Sequence, residues 1–162
     1  MLEIRRYRDV DLAAVWELHR LALVPTGAYL GDGPWNEDLH DIQNHYLNND
    51  GEFLVGLIDN RIVCMGAFRK KSDTLAEIKR MRVHPDYQRR GFGEIILNKL
   101  EEKASRMGYT ELYLDTTTKQ LAAQRMYEKN GYTEGGRGKF RELDLIFYRK
   151  QLSPQNSKSQ CS

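Results

Sequence analysis

The sequence predicts an α/β fold: a single domain on a mixed sheet of six to seven strands, with helices on both faces. Three observations lead there. Short alternating segments joined by tight turns fill the first half, and helix-periodic and strand-periodic segments alternate in the second. Hairpins followed by β-α-β units give a sheet with both antiparallel and parallel neighbours. The 162 residues suit one domain with one sizeable core.

Each element has its own signal. Leu2, Ile4 and Arg6 alternate with charged neighbours and predict a first strand. Asp9 or Asp11 can cap a helix on which Leu12, Val15, Trp16, His19 and Leu23 follow helical spacing. Pro25, Gly27, Gly31, Gly33 and Pro34 interrupt regularity and predict a mobile loop. Leu39, Ile42 and Tyr46 predict a second short helix, stopped by Asn48-Asn49-Asp50-Gly51. Strands follow at 53–58 and 62–68, joined by Asp59-Asn60, residue types that tolerate the positive φ of a tight turn. Ala76 to Val83 is a fourth strand, ended by His84-Pro85-Asp86. Phe92, Ile96, Leu100, Ala104 and Met107 form one face of a long helix, stopped by Gly108. A strand at 111–115, a helix at 119–129, a short strand from Tyr132 and a last strand at 143–149 complete the domain, residues 1–152. Residues 153–162 are polar and predict a disordered tail.

Composition limits the function. Hydrophobic residues make up 40% and charged residues 30%, as in ordinary soluble proteins. A net charge of +2 provides no broad basic field, which argues against nucleic acid as the main partner. The start of the chain has no apolar signal-peptide run, and no segment is apolar enough to span a membrane. Cys64 lies in an apolar run and Cys161 in the polar tail; no disulfide framework is expected, and the cytoplasm is the expected setting.

Chemistry concentrates where the fourth strand meets the long helix, at Gln88-Arg89-Arg90-Gly91-Phe92-Gly93. The first N–H groups of a helix lack internal partners, and the helix dipole is positive there. Gly91 and Gly93 let a ligand approach bare backbone, and Arg89 and Arg90 add charge. Strand, turn, glycines and helix together predict a pyrophosphate site. A P-loop would need a following Lys-Ser/Thr, and a dinucleotide fingerprint a third glycine where Ile96 stands.

The segment Val83 to Gly93 resembles the signature of the GNAT superfamily of N-acetyltransferases, Gln/Arg-x-x-Gly-x-Gly/Ala, here Gln88, Gly91 and Gly93. A second segment, Ala123 to Tyr132, resembles the later motif of that family, an alanine, then Tyr127, then Gly131 and an aromatic. The resemblance covers nearly the whole chain and implies an N-acetyltransferase that moves an acetyl group from acetyl-CoA to a primary amine of a small molecule or amino acid by direct attack. It implies that the pantetheine pairs with the backbone of Met81, Arg82 and Val83, in a gap where the fourth and fifth strands splay. The pyrophosphate would meet Gln88, Arg89, Arg90, Gly91, Phe92, Gly93 and Glu94. Many members carry Asn seven residues before the tyrosine; Gln120 stands there and keeps the amide chemistry. Homodimers also occur in the family.

Acetyl transfer needs a base for the amine, donors for the oxyanion and an acid for the leaving thiolate. Tyr127, on the family's tyrosine position, is the expected acid, against the competing reading of a packed helical ring. Glu77 is the expected base, directly or through water; its competing reading is a strand residue paired with Lys79. Strict alternation gives the fourth strand no purely apolar face, and a bulge would shift its parity. Tyr29, Trp35 and Asp38, in a stretch that also holds Asp32, Glu37, His40 and Asp41, are the expected acceptor contacts, since aromatic walls and carboxylates suit a cationic amine. His19 reads as a packed histidine, His84 as a turn residue, and His40 and His45 stand five apart; no metal is expected. Two other functions fit less: a non-catalytic acyl-CoA-binding or sensory module on the same fold, and a nucleotide-binding α/β domain.

Overall fold

The computed structural model describes residues 1–153; the expected tail, from 154 on and with Cys161, lies outside the described residues. Seven strands form one sheet: β1 (Glu3–Arg6), β2 (Glu52–Ile58), β3 (Arg61–Lys70), β4 (Leu75–Val83), β5 (Glu111–Thr117), β6 (Thr133–Phe140) and β7 (Leu143–Gln151). Their order is β1-β2-β3-β4-β5-β7-β6. Only β4 and β5 run parallel; the other neighbours are antiparallel. Asp59 and Asn60 join β2 to β3 with φ of 48° and 64°, the left-handed pair that a two-residue hairpin requires.

Helices cover both faces. On one side, α1 (Leu12–Leu23) buries Val15 and Leu18 with Leu39, Ile42, Tyr46, Phe53, Val55 and Met65. On the other, α2 (Phe92–Arg106) and α3 (Leu121–Lys129) pack on the sheet. Ile96, Leu97, Leu100 and Ala104 recur at helical spacing and are fully buried against β3 and β4. A Leu→Ala truncation in such a face costs about 2–5 kcal/mol. Cys64 is buried, and burial pushes its thiol up to about 12.

β4 carries a bulge. Its register with β3 slips between Met65↔Arg82 and Ala67↔Lys79, so β4 spends one residue more than its partner. Arg80 takes up the extra residue at φ 61°. The parity change puts Ala76, Ile78 and Met81 into the same core, with Val83 packed against it. Glu77, Arg80 and Arg82 turn the other way, toward Arg69, Asp38 and His19. β4 then leaves β5: the two pair only at Leu75↔Glu111, Ala76↔Leu112 and Glu77↔Tyr113. Past Glu77 the facing backbones diverge.

Two elements differ from expectation. The single helix expected around 39–46 is two short pieces, a 3₁₀ segment Pro34–His40 and a π segment Gln43–Leu47. Asp41 breaks them at φ −152°. The short strand expected from Tyr132 is the eight-residue β6, beginning one residue later, because Tyr132 is buried at the end of α3. No described helix is long and apolar enough to cross a membrane.

Candidate active site

The mouth of α2 is built from backbone. After β4, a 3₁₀ turn at Pro85–Tyr87 leads to Arg89 at φ 65° and Gly91 at φ 78°. Ile95 N–H donates to the Gly91 carbonyl at 3.0 Å as the first rung of the helix. The N–H groups of residues 91–94 therefore have no intrahelical partner and point outward, with the positive end of the dipole behind them. The two glycines do different jobs. A Cβ on Gly91 would meet nothing within 4 Å, so its surroundings are open. A Cβ on Gly93 would stand 3.2 Å from Met126 Sδ and 3.4 Å from Val83 Cγ2, so its bareness lets α2 close on α3 and β4. Gln88, Arg89 and Arg90 are exposed, and the Arg90 guanidinium lies 5.0 Å from the Tyr87 ring centroid. Glu94 would oppose an anion here, but Lys129 Nζ takes its carboxylate at 3.0 Å. Free amides, open space and compensated charge fit a diphosphate.

A cavity of about 450 Å³ opens beside the splayed strands. Its walls include His19, Trp35, Lys79, Arg82, Asp115 and Tyr127. Tyr127 is only 4% exposed, with its ring against Tyr132 and Tyr148 at 5.5 and 6.0 Å. Its hydroxyl has no hydrogen-bond partner among the described residues. Burial raises its pKa well above that of an ordinary phenol, against the smaller effect of Arg82, so it stays protonated at neutral pH. Asp115 lines the part of β5 that β4 has left. Enclosure by the surrounding protein raises its carboxyl pKa, against the opposing charge of Lys79 and with a smaller push from the charge of Glu77, while its side chain stays open to the cavity. Gln120 lines the cavity at the start of α3, and its Oε1 accepts from the Thr117 hydroxyl at 3.0 Å.

The expected acceptor contacts divide. Trp35 forms part of the wall; its ring sits 6.0 Å from Phe140, and Arg141 covers it at 4.5 Å. The tip of the β6–β7 hairpin thus closes over the segment between α1 and β2. Asp38 also lines the cavity, but Arg80 grips it with two bonds of 2.9 and 2.6 Å and the Tyr46 hydroxyl donates to it. Burial alone would raise the Asp38 pKa; the hydrogen bond and charge of Arg80 outweigh it and hold the carboxyl well below the usual range. Tyr29 packs on His19 at 6.0 Å and is not part of the wall. Glu77 lies behind the wall, 4% exposed, with Arg69 Nε on its carboxylate at 2.8 Å.

Sequence reasoning passed over Asp115, Lys79 and the side chains of His19 and Arg82 as site residues. Arg82 Nε donates to His19 Nδ1 at 3.3 Å, and Arg82 Nη1 to the Met81 carbonyl at 2.8 Å. Burial, followed by the charges of Arg82 and Arg80, lowers His19 to about 3, so its ring is neutral and free to accept. The bulge at Arg80 is what turns Arg82 toward His19 and the cavity, and strict alternation along the sequence does not reveal it. Among the described residues no group of three or more His, Cys, Asp and Glu is placed to hold a metal.

The chain is similar in sequence and fold to known proteins. Residues 12–132 match the sequence profile of the acetyltransferase (GNAT) family. The chain is 30% identical over 101 residues to the N-acetylaspartate synthetase of Xenopus tropicalis, covering 61% of this chain and 37% of that protein. It is 30% identical over 135 residues to human N-acetyltransferase 8, covering 74% of this chain and 59% of that protein. The chain thus spans less than two thirds of either relative. The [ribosomal protein bS18]-alanine N-acetyltransferase of Salmonella typhimurium is 28% identical over 127 residues, covering 76% of each. A GNAT-family acetyltransferase from Staphylococcus aureus Mu50 superposes with a TM-score of 0.87 at 23% identity, over 94% of this chain and all of that one. The PaiA N-acetyltransferase of Thermoplasma acidophilum, solved in complex with coenzyme A, gives 0.78 at 20% identity, over 93% and 99%. The profile spans the parted strands, the bare helix mouth and Tyr127 alike, so this chain belongs to the GNAT family.

Proposed function

We propose that the chain transfers an acetyl group from acetyl-CoA to a primary amine within a ternary complex. The observation that carries this is the gap between β4 and β5 beyond Glu77: it has unpaired β4 backbone on one side and Tyr127 in its wall, and β4 leads from it to the free amides of α2. Diphosphate and pantetheine are both recognised by backbone, so this reading needs Gln88 to Glu94 and Met81 to Val83 more for their N–H and C=O groups than for their side chains. Coenzyme A bound to PaiA, and the N-acetyl transfer named for the relatives above, support the same assignment.

The chemistry follows from the groups present. The amine nitrogen attacks the thioester carbonyl; the carbon–nitrogen bond forms and the carbon–sulfur bond breaks. Backbone N–H groups on the free edge of β4 offer hydrogen bonds to the oxygen that gains charge. Tyr127 gives its phenolic proton to the departing thiolate. The proton leaving the amine goes to Asp115, directly or through water, because that carboxylate faces the cavity. Glu77 acts one step behind: its charge helps raise the Asp115 pKa, and its own carboxylate stays with Arg69. Gln120 steadies the end of β5 beside the cofactor.

The test is thiol release from acetyl-CoA by the purified chain, screened over simple amines, amino acids and peptides. Amine-dependent release well above the background hydrolysis is expected. Tight binding of coenzyme A with no turnover of any amine would favour a non-catalytic acyl-CoA-binding module instead.

A further inference from the structure

Glu37 and Asp115 line the cavity with the cations, and the charges of Asp115 and Lys79 act on each other, but Arg82 touches no anion. Arg80 is matched by Asp38, and Arg69 by Glu77. Arg82 also lines the cavity, yet its protein partners are neutral, the His19 ring and the Met81 carbonyl. A guanidinium has five N–H groups in a planar fork, so most of Arg82's remain without a partner among the described residues. Lys79 lines the same cavity and has no ion pair among the described residues. Both cations lie on enclosed walls, where an uncompensated charge is costly. Burial, with the charge of Arg80, brings Arg82 down to about 10, and burial lowers Lys79 as well.

We infer that the acceptor is an amine that carries its own carboxylate, with Arg82 as the partner of that carboxylate and Lys79 as its second cation. This rests on the acetyl-transfer reading and names the substrate class of the same site. A planar fork with free N–H groups matches a carboxylate in geometry as well as charge. The diphosphate of the cofactor is not a competing occupant, because Arg82 contacts His19 on α1, across the sheet from the mouth of α2. A simple cationic amine can face Asp115 but leaves Arg82 without an anion. An amino acid brings the missing anion. The same positive wall then favours the neutral, nucleophilic form of its amine.

The experiment is calorimetric titration of CoA-saturated protein with a series of N-acetyl amino acids and their matching N-acetyl amides. These pairs share side chain and amide and differ in the carboxylate. The best acid should bind at least about tenfold more tightly than its amide, equivalent to about 1.4 kcal/mol. Arg82→Gln should bring the ratio close to unity, and Arg82→Lys should keep part of it. If Arg82→Gln does not fold, as judged by circular dichroism, the wild-type ratio and the reduced ratio in Lys79→Gln decide the matter. A wild-type protein that binds no acid better than its amide overturns the inference. So does a preference that survives in the folded Arg82→Gln protein. Thiol release reports separately: turnover of amides over acids sinks this inference alone, and absence of turnover with every amine sinks the acetyl-transfer reading.

Discussion

Arg80 Nη2 lies 2.6 Å from Asp38 Oδ1 and Arg80 Nε lies 2.9 Å from Asp38 Oδ2, a two-pronged pair whose side chains are 8% and 6% exposed. The pair ties the kink of β4 to the 3₁₀ segment that walls the cavity. Arg80 Nη2 also donates to the Trp35 carbonyl at 2.8 Å, so one guanidinium fixes both Asp38 and Trp35. Asp38→Ala leaves a buried arginine without its anion, a change that costs about 3–5 kcal/mol. Urea unfolding should show a loss of that size. A loss below about 1 kcal/mol would mean that the pair is dispensable to the fold.

Gly91→Ala should separate binding from folding. Its φ of 78° costs a residue with a Cβ about 1–2 kcal/mol, yet the Cβ itself meets nothing within 4 Å. The variant should therefore fold with a modest loss of stability. The KM for acetyl-CoA should rise about tenfold or more, because the helix mouth shifts and the added methyl stands where the diphosphate approaches. Steady-state kinetics on a folded sample check this; an unaltered KM would remove the diphosphate from this loop.

Tyr127→Phe keeps the ring that packs on Tyr132 and Tyr148 and deletes only the hydroxyl. kcat should fall by about 10²-fold or more while the KM for acetyl-CoA stays near that of the wild type. Because burial raises the phenol's pKa, the wild-type acid stays loaded throughout the neutral range. Loss of Tyr127 should therefore lower the rate across that range rather than on one side of it. A kcat within about twofold of the wild type would return Tyr127 to a packing role.

Most of the fold was legible because its elements carry strong local signals. The apolar spacing of Ile96, Leu100 and Ala104 marks α2, and Asp59-Asn60 marks its hairpin turn. β6 was hardly legible: Glu134-Gly135-Gly136-Arg137-Gly138 is an exposed edge with no apolar alternation, and pairing with β7 makes it a strand. The site was half legible. Glycines that open a helix can be read locally, since only neighbouring backbone is involved. The side chains at the acceptor end cannot, because their facing depends on one extra residue in β4. Without the bulge, Met81 would share a face with Glu77; with it, Met81 joins Ile78 in the core and Arg82 turns to His19. Asp38 shows the same limit, since its partner Arg80 is 42 positions away in sequence.

His19 makes stability sensitive to mild acid. In the folded chain burial holds its pKa at about 3, against 6.5 for an ordinary histidine. Between those values the unfolded chain binds the proton and the folded chain does not. Stability from this group is therefore complete above the unfolded value and is lost as pH falls through the window, at up to about 1.4 kcal/mol per pH unit. Comparison with a His19 variant isolates this group, because the other histidines and the raised Asp115 carboxyl are common to both proteins. Urea midpoints at about pH 7 and about pH 5 should differ in the wild type, and the difference should shrink in His19→Gln, whose side-chain oxygen can still accept from Arg82 Nε. Equal pH dependence in the two proteins would show that the His19 ring takes up its proton without unfolding. Such a ring could not remain the neutral acceptor of Arg82, and two cations would then face each other on the cavity wall.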